Sequence, residues 1–193
     1  EVYECCCPRC KGSLSTANGQ LRSNVIASQN ISSNNINNQG FDVNTLLYPS
    51  KARWNSDSAF GTPVTVSYSF MTSLPSYYNA DENGAWAVND GQANNFSSFS
   101  MQQSQAAIQA LNLWQEVSGL TFVEDKSGNG QIRFGTAFNT IKATGWAQQP
   151  GDNRGGDVWL DKGDSRNDNL TQETYGFQTL IHEIGHALGL KHP

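Results

Sequence analysis

The stretch HEIGHALGLKHP, residues 182–193, contains all three histidines of the chain. On a helix, residues i and i+4 lie on one face about one turn apart, so His182 and His186 can present two ring nitrogens to one metal ion. A catalytic zinc site commonly has three protein ligands and one open position. Gly189 can end the helix with a positive φ, and the chain can then turn and bring His192 back toward the ion. The spacing therefore predicts one zinc ion held by these three histidines.

Glu183 completes the pattern H-E-x-x-H between the first two histidines. A carboxylate there can accept a proton from water that a metal ion activates and later pass it on, as a general base does in metal-assisted hydrolysis. A purely structural zinc site is the alternative. Such sites favour four protein ligands that include cysteine, and Glu183 would then have no role. The pattern therefore favours a catalytic site with Glu183 as the base.

The composition of the chain limits the kinds of molecule that it is expected to bind. The formal net charge is -5, and no run rich in Lys and Arg suggests a nucleic-acid partner. No stretch approaches the roughly 20 apolar residues that span a bilayer. Only 15% of residues are charged, while Asn, Ser, Gln and Gly are plentiful, which favours a secreted protein. We expect a monomer that acts outside the cell.

The patterns along the chain predict an α+β fold. Alternation in PVTVSYSF (63–70) indicates a half-buried strand, and the polar, Gly-rich segment from Leu74 to Asn95 reads as a loop. Four more short strands are predicted at 120–124, 130–134, 144–149 and 156–160. Residues 41–48 favour a short helix, and longer helices are predicted over 100–119 and 174–188. A small mixed sheet with two long helices follows from this order.

The first long helix has clear end signals. Ser100 is a plausible N-cap with Gln103 three residues on, the pattern of a capping box, and Gly119 is a natural C-terminal stop. An apolar stripe is predicted along one face; its members are Ala107, Ile108, Leu111, Trp114, Val117 and Ser118.

HEIGHALGLKHP also matches H-E-x-x-H-x-x-G-x-x-H, the metzincin signature. Within that clan the chain resembles the serralysins, secreted bacterial zinc endopeptidases. The likeness extends to LLYPSKARW and VTVSYSF (46–70), ALNLWQEVSGLTFVE (110–124), GGDVWLD (155–161) and YGFQTLIHEIGHALGL (175–190). It implies that residues 41–193 form the N-terminal subdomain of a metzincin-like catalytic domain, with a catalytic Zn²⁺ and with proteins or peptides as substrates.

The resemblance also assigns residue roles. It implies that His182, His186 and His192 are the zinc ligands and that Glu183 is the general base. Residues 145–148 resemble the edge strand along which metzincins bind an extended substrate through backbone hydrogen bonds. The substrate-binding residues would then be Gly145, Trp146, Ala147 and Gln148. An ordinary strand and turn is the alternative for this segment.

The chain departs from the family pattern after its third histidine. Metzincins continue to a Met-turn beneath the zinc, and serralysins add a nearby tyrosine and calcium-binding repeats. Here the sequence stops at Pro193, and Met71 and Met101 lie far upstream. We therefore expect a fold that is incomplete after the active-site helix, in the upstream part of a longer protein. Family resemblance places any Ca²⁺ mainly in the missing C-terminal part.

Residues 1–40 are expected to be a flexible extension or a propeptide-like segment, since SQNISSNNINNQG (28–40) has few large apolar side chains. All four cysteines lie within CCCPRC, at positions 5, 6, 7 and 10. PRC (8–10) resembles the cysteine switch of matrixin propeptides, in which a thiolate occupies the open zinc position, and Cys10 would be the inhibitory thiol. Lys11 stands where that motif has glycine. Half of a zinc ribbon and a passive tail are the alternatives.

Residues 151–169 form an acidic segment, whose five aspartates are Asp152, Asp157, Asp161, Asp164 and Asp168. Calcium binding is one interpretation of such an oxygen-rich segment, and a solvated loop is the other.

For the whole chain, the sequence predicts a zinc endopeptidase, and the alternative is a non-catalytic zinc-binding fragment or regulatory module of the same fold. Nothing in the sequence supports a nuclease or a glycosidase.

Overall fold

The computed structural model describes residues 43–48, 52–88 and 91–192. The predicted extension over residues 1–40, its Cys10 and the terminal Pro193 lie outside these ranges. The described elements are a 3-10 turn Val43–Leu46, strands β1 Val64–Phe70, β2 Trp86–Val88 and β3 Gly91–Ser97, helix α1 Met101–Val117, strands β4 Leu120–Glu124, β5 Ile132–Asn139, β6 Gly145–Ala147 and β7 Asp157–Asp161, a 3-10 turn Ser165–Asp168, and helix α2 Tyr175–Ala187.

One mixed sheet holds the seven strands. β1 runs parallel to β4 on one side and to β5 on the other, and β7 pairs in parallel with the opposite edge of β5. β3 is antiparallel to the last residues of β5 and carries β2 beyond it. β6 is antiparallel to β7. Parallel strands need long connections, and the one between β1 and β4 contains β2, β3 and α1. The predicted α+β fold with a mixed sheet and two long helices is confirmed.

The main core lies between the sheet and the two helices. The alternation that predicted β1 is confirmed, because Val66 and Tyr68 are buried in this core and Val64 and Phe70 pack against it. Helix α1 contributes alanines and Leu111, and α2 contributes larger side chains. The buried members from α2 are Phe177, Leu180, Ile184 and Ala187. Helix α2, which carries the H-E-x-x-H motif, is therefore held in the core by its own apolar face.

The helix starts agree with the sequence. Ser100 caps α1 and accepts a hydrogen bond from the Gln103 amide, while the Gln103 side chain accepts one from the Ser100 amide, so the predicted capping box is present. The stripe prediction is wrong at its C-terminal end, because Val117 is 78% exposed. The helix ends at this residue, and β4 begins three residues later.

The predicted loop from Leu74 to Asn95 is also wrong in part. β2 and most of β3 lie within it and form a hairpin on the edge of β5. β3 reads GQANNFS, which lacks apolar alternation, so its strand conformation comes from pairing with β5 rather than from its own pattern. A second cluster lies beneath this hairpin; its buried members are Met71, Tyr78, Trp86, Val88, Ala93, Ala137, Trp146 and Trp159.

The strand predicted at 130–134 is displaced in the structure, where β5 extends from Ile132 to Asn139. Within the part of the chain that the structure describes, no helix is long and apolar enough to cross a membrane.

Candidate metal centre and active site

The three histidine side chains converge through one nitrogen each. The Nε2 atom of His182 lies 3.0 Å from that of His186 and 3.0 Å from that of His192, and the last two are 2.9 Å apart. Two nitrogens on a tetrahedral zinc ion, each about 2.0–2.1 Å from the metal, lie about 3.3 Å apart. The observed separations match that donor set closely. Among the described residues, these histidines are the one group that could hold a metal ion.

The protonation of the imidazoles suits metal binding. Burial lowers the pKa of His182, the neighbouring His186 and His192 act in the same direction, and together they bring it to about 4. Burial also lowers the pKa of His186. The Nδ1 atom of His186 is 2.8 Å from the Leu190 carbonyl oxygen, which can only accept, so Nδ1 carries the proton and Nε2 keeps its lone pair. Neutral rings with free lone pairs are the form that binds zinc.

The turn after α2 brings in the third histidine. The Gly189 amide donates to the His186 carbonyl and the Leu190 amide donates to the Gly185 carbonyl, which is the Schellman arrangement at a helix end. Gly189 has φ +103°, and a Cβ there would collide with the carbonyl oxygen of Ala52. Glycine is therefore required twice over, by conformation and by space.

Glu183 is directed into the interior, with 4% of its surface exposed. Burial raises the pKa of its carboxyl group to about 8. A cation held by the three imidazoles would favour the carboxylate form and lower this pKa. The aliphatic part of Glu183 lies against Gly145 of β6, where an added Cβ would be 2.9 Å from its Cγ. The edge strand thus runs directly beside the H-E-x-x-H helix.

The segment predicted to bind substrate contains β6, whose backbone groups point in alternate directions, toward β7 and away from it. Among the described strands β6 pairs with β7 alone, and the flanking bonds join Thr144 O to the Asp161 amide and the Gln148 amide to Asp157 O. Hydrogen-bonded pairs alternate along an antiparallel ladder, so the backbone groups of Gly145 and Ala147 point away from β7. The side chain of Trp146 is buried in the second cluster instead.

The aspartates of 151–169 do not gather into one group of ligands in the described part of the chain. Asp157 is fully buried, and its Oδ1 is 2.6 Å from Nε of Arg133. The Asp164 carboxylate accepts from Arg166. No observation on these residues supports calcium.

The residues that hold the end of α2 from a distance were not predicted from the sequence. The Trp54 indole donates to the Ala187 carbonyl at 3.0 Å, and the Lys191 amide donates to Leu46 O at 2.8 Å. The spacing of neighbouring residues in the sequence does not indicate these contacts, because the partners are more than a hundred residues apart.

A protein-family model described as matrixin, of the M10 peptidases, matches residues 77–193 of the chain. The chain belongs to the matrixin peptidase family. That match spans both long helices, every strand of the sheet except β1, and the three histidines of this matrixin. The predicted serralysin-like, metzincin character is confirmed.

Curated relatives of this matrixin are bacterial metalloproteases. The metalloprotease AprA of Pseudomonas entomophila is 36% identical over 148 residues, covering 74% of this chain and 28% of the relative. The metallopeptidase AprA of Pseudomonas marginalis is 35% identical over 136 residues, covering 67% and 27%. Serralysin C of Dickeya chrysanthemi is 34% identical over 148 residues, covering 72% and 28%. The aligned part of the chain thus corresponds to little more than a quarter of each of these relatives.

Proposed function

We propose that this chain carries the zinc site and general base of a secreted zinc-dependent endopeptidase that cleaves proteins or peptides. The convergence of three imidazole nitrogens beside a buried glutamate, on and just after a helix of a matrixin, is the observation that supports the proposal. The names of the relatives, which are metalloproteases and serralysins, favour the same activity.

The proposed mechanism assigns one task to each group. Zinc, when bound by His182, His186 and His192, supplies a Lewis acid that acidifies water and polarises a peptide carbonyl. Glu183 accepts the proton that the attacking water loses and then delivers it to the nitrogen of the departing amine. Its enclosed position against Gly145 holds the carboxylate in place and keeps bulk water from it.

β6 is proposed as the substrate platform. An extended peptide would pair with the outward backbone groups of Gly145 and Ala147 and add a strand to the sheet edge. Because β6 runs beside Glu183, a peptide held there would place its backbone next to the general base. Side-chain recognition would come from outside β6, since Trp146 faces the interior.

The proposal is tested with Glu183→Gln and with His186→Ala, against Glu116→Gln as a matched control on the exposed face of α1. We expect Glu183→Gln to keep about one zinc per chain by elemental analysis and to lose cleavage of a denatured protein substrate. His186→Ala should lose zinc, and Glu116→Gln should retain both properties. Full cleavage by Glu183→Gln would refute the assigned base, and zinc-binding parent protein that cleaves nothing would indicate a non-catalytic zinc module.

A further inference from the structure

Two tryptophan side chains donate hydrogen bonds to the backbone of α2, one near each end of its metal-binding face. Nε1 of Trp114 is 3.1 Å from the Ile181 carbonyl oxygen, and Nε1 of Trp54 is 3.0 Å from the Ala187 carbonyl oxygen. The two acceptor carbonyls differ in whether the helix itself already supplies a hydrogen-bond donor to them. Ile181 lies four residues before Gly185, so the helix itself provides a donor to its carbonyl. Ala187 is in the last turn, where carbonyls have no donor from the helix.

The segment that leads to Trp54 contacts the turn after α2 at three further points. The carbonyl of Leu46 accepts from the Lys191 amide at 2.8 Å, and Leu47 forms an antiparallel bridge with Leu190. The carbonyl of Ala52 fills the space beside Gly189. The contacts fall between Ala187 and Lys191, which are the residues directly before His192.

These contacts bear on one zinc ligand more than on the others. His182 and His186 are fixed relative to each other by the helix, one turn apart. His192 lies five residues beyond the end of α2, so its position depends on the turn between them. Helix ends are where backbone structure opens most easily. A partner that satisfies the last carbonyls and ties the turn therefore limits where the third ring can lie.

We propose that Trp54 is a positioning residue for His192, acting with the backbone of Leu46, Leu47 and Ala52 to hold the end of α2 in its metal-binding arrangement. The inference rests on the proposed zinc site and extends it: one part of the site's geometry is set by a segment 133 residues upstream of the helix end. Partners that orient metal ligands in this way typically change metal affinity 10–100-fold when they are removed.

The experiment compares Trp54→Phe with Trp114→Phe, since each removes one indole donor to α2 and keeps an aromatic ring. Zinc affinity is measured by chelator competition, and amide hydrogen exchange of Gly189, Leu190 and Lys191 is measured without metal. We expect Trp54→Phe to weaken zinc binding by about tenfold or more and to speed exchange at these three amides. Trp114→Phe should leave both close to the parent values.

An equal loss in the two variants would show a general weakening of α2 and would overturn the proposal, as would parent-like affinity and exchange in Trp54→Phe. If the Phe variant does not fold, benzothienylalanine at position 54 replaces the indole N–H by sulfur at nearly constant shape and gives the same comparison. The exchange measurement separates this inference from the proposed function. A parent protein that binds no zinc refutes the function, while unchanged Lys191 exchange in metal-free Trp54→Phe refutes the positioning role.

Discussion

Gly145→Ala tests whether the close approach of β6 and α2 positions the general base. A Cβ at residue 145 would lie 2.9 Å from Cγ of Glu183, 3.0 Å from Cγ2 of Thr179 and 3.0 Å from the carbonyl oxygen of Trp159. The Trp159 oxygen belongs to β7, whose backbone is held by pairing on both sides. The two side chains of α2 must therefore move.

The magnitude follows from these distances. Carbon atoms pack best at about 3.5–4.0 Å, so Glu183 and Thr179 must shift by about 0.5–1 Å. Overpacking of this kind costs about 1–3 kcal/mol, which for a chain of this length lowers Tm by about 2–12 °C. A misplacement of a catalytic group by about 1 Å can reduce the rate about 100-fold. We expect a modest loss of stability and a large loss of cleavage.

The assay pairs thermal unfolding with hydrolysis of a peptide substrate and with zinc content. Gly119→Ala is the control, because the nearest atom to its added Cβ is Cα of Pro63 at 3.6 Å, an ordinary contact. Gly145→Ala should retain zinc, since the three atoms nearest to its added Cβ belong to Glu183, Thr179 and Trp159 and not to a zinc ligand. Parent-like hydrolysis by Gly145→Ala would refute the idea that this contact sets the position of Glu183.

Two further predictions concern stability. Burial raises the pKa of Asp157 to about 6, against the opposing effect of Arg133. Because the pKa of this group in the unfolded chain is about 3.9, the folded chain binds the proton more tightly. The contribution of Asp157 to the free energy of unfolding should therefore fall as the pH rises from about 4 to 6 and stay level above pH 6. Urea titrations should show that slope in the parent but not in Asp157→Asn, which has no proton to bind or release at this position; the same slope in both proteins would contradict this. Ser100→Ala removes the hydroxyl that accepts from the Gln103 amide at the start of α1 and should lower the free energy of unfolding by about 1 kcal/mol, whereas an unchanged urea midpoint would argue against the cap.

Elements with strong local signals were predicted well. α1 begins at its capping box, the turn at Gly189 follows α2, and β1 alternates, because each of these features depends on residues within a few positions of one another. The hairpin of β2 and β3 was missed for the opposite reason. β2 has three residues and β3 is polar, so neither has enough local preference to be recognised before it pairs with the sheet.

The sequence by itself determined the three-histidine cluster, since helix geometry and one glycine place His182, His186 and His192 within reach of one another. Tertiary structure decided what surrounds the cluster. It brought Gly145 against Glu183 and the Trp54 indole to the end of α2, and it enclosed Asp157 with Arg133. The physical reason is the range of each interaction: a helix repeats every 3.6 residues and can be read locally, whereas contacts between distant segments exist only after the core has closed.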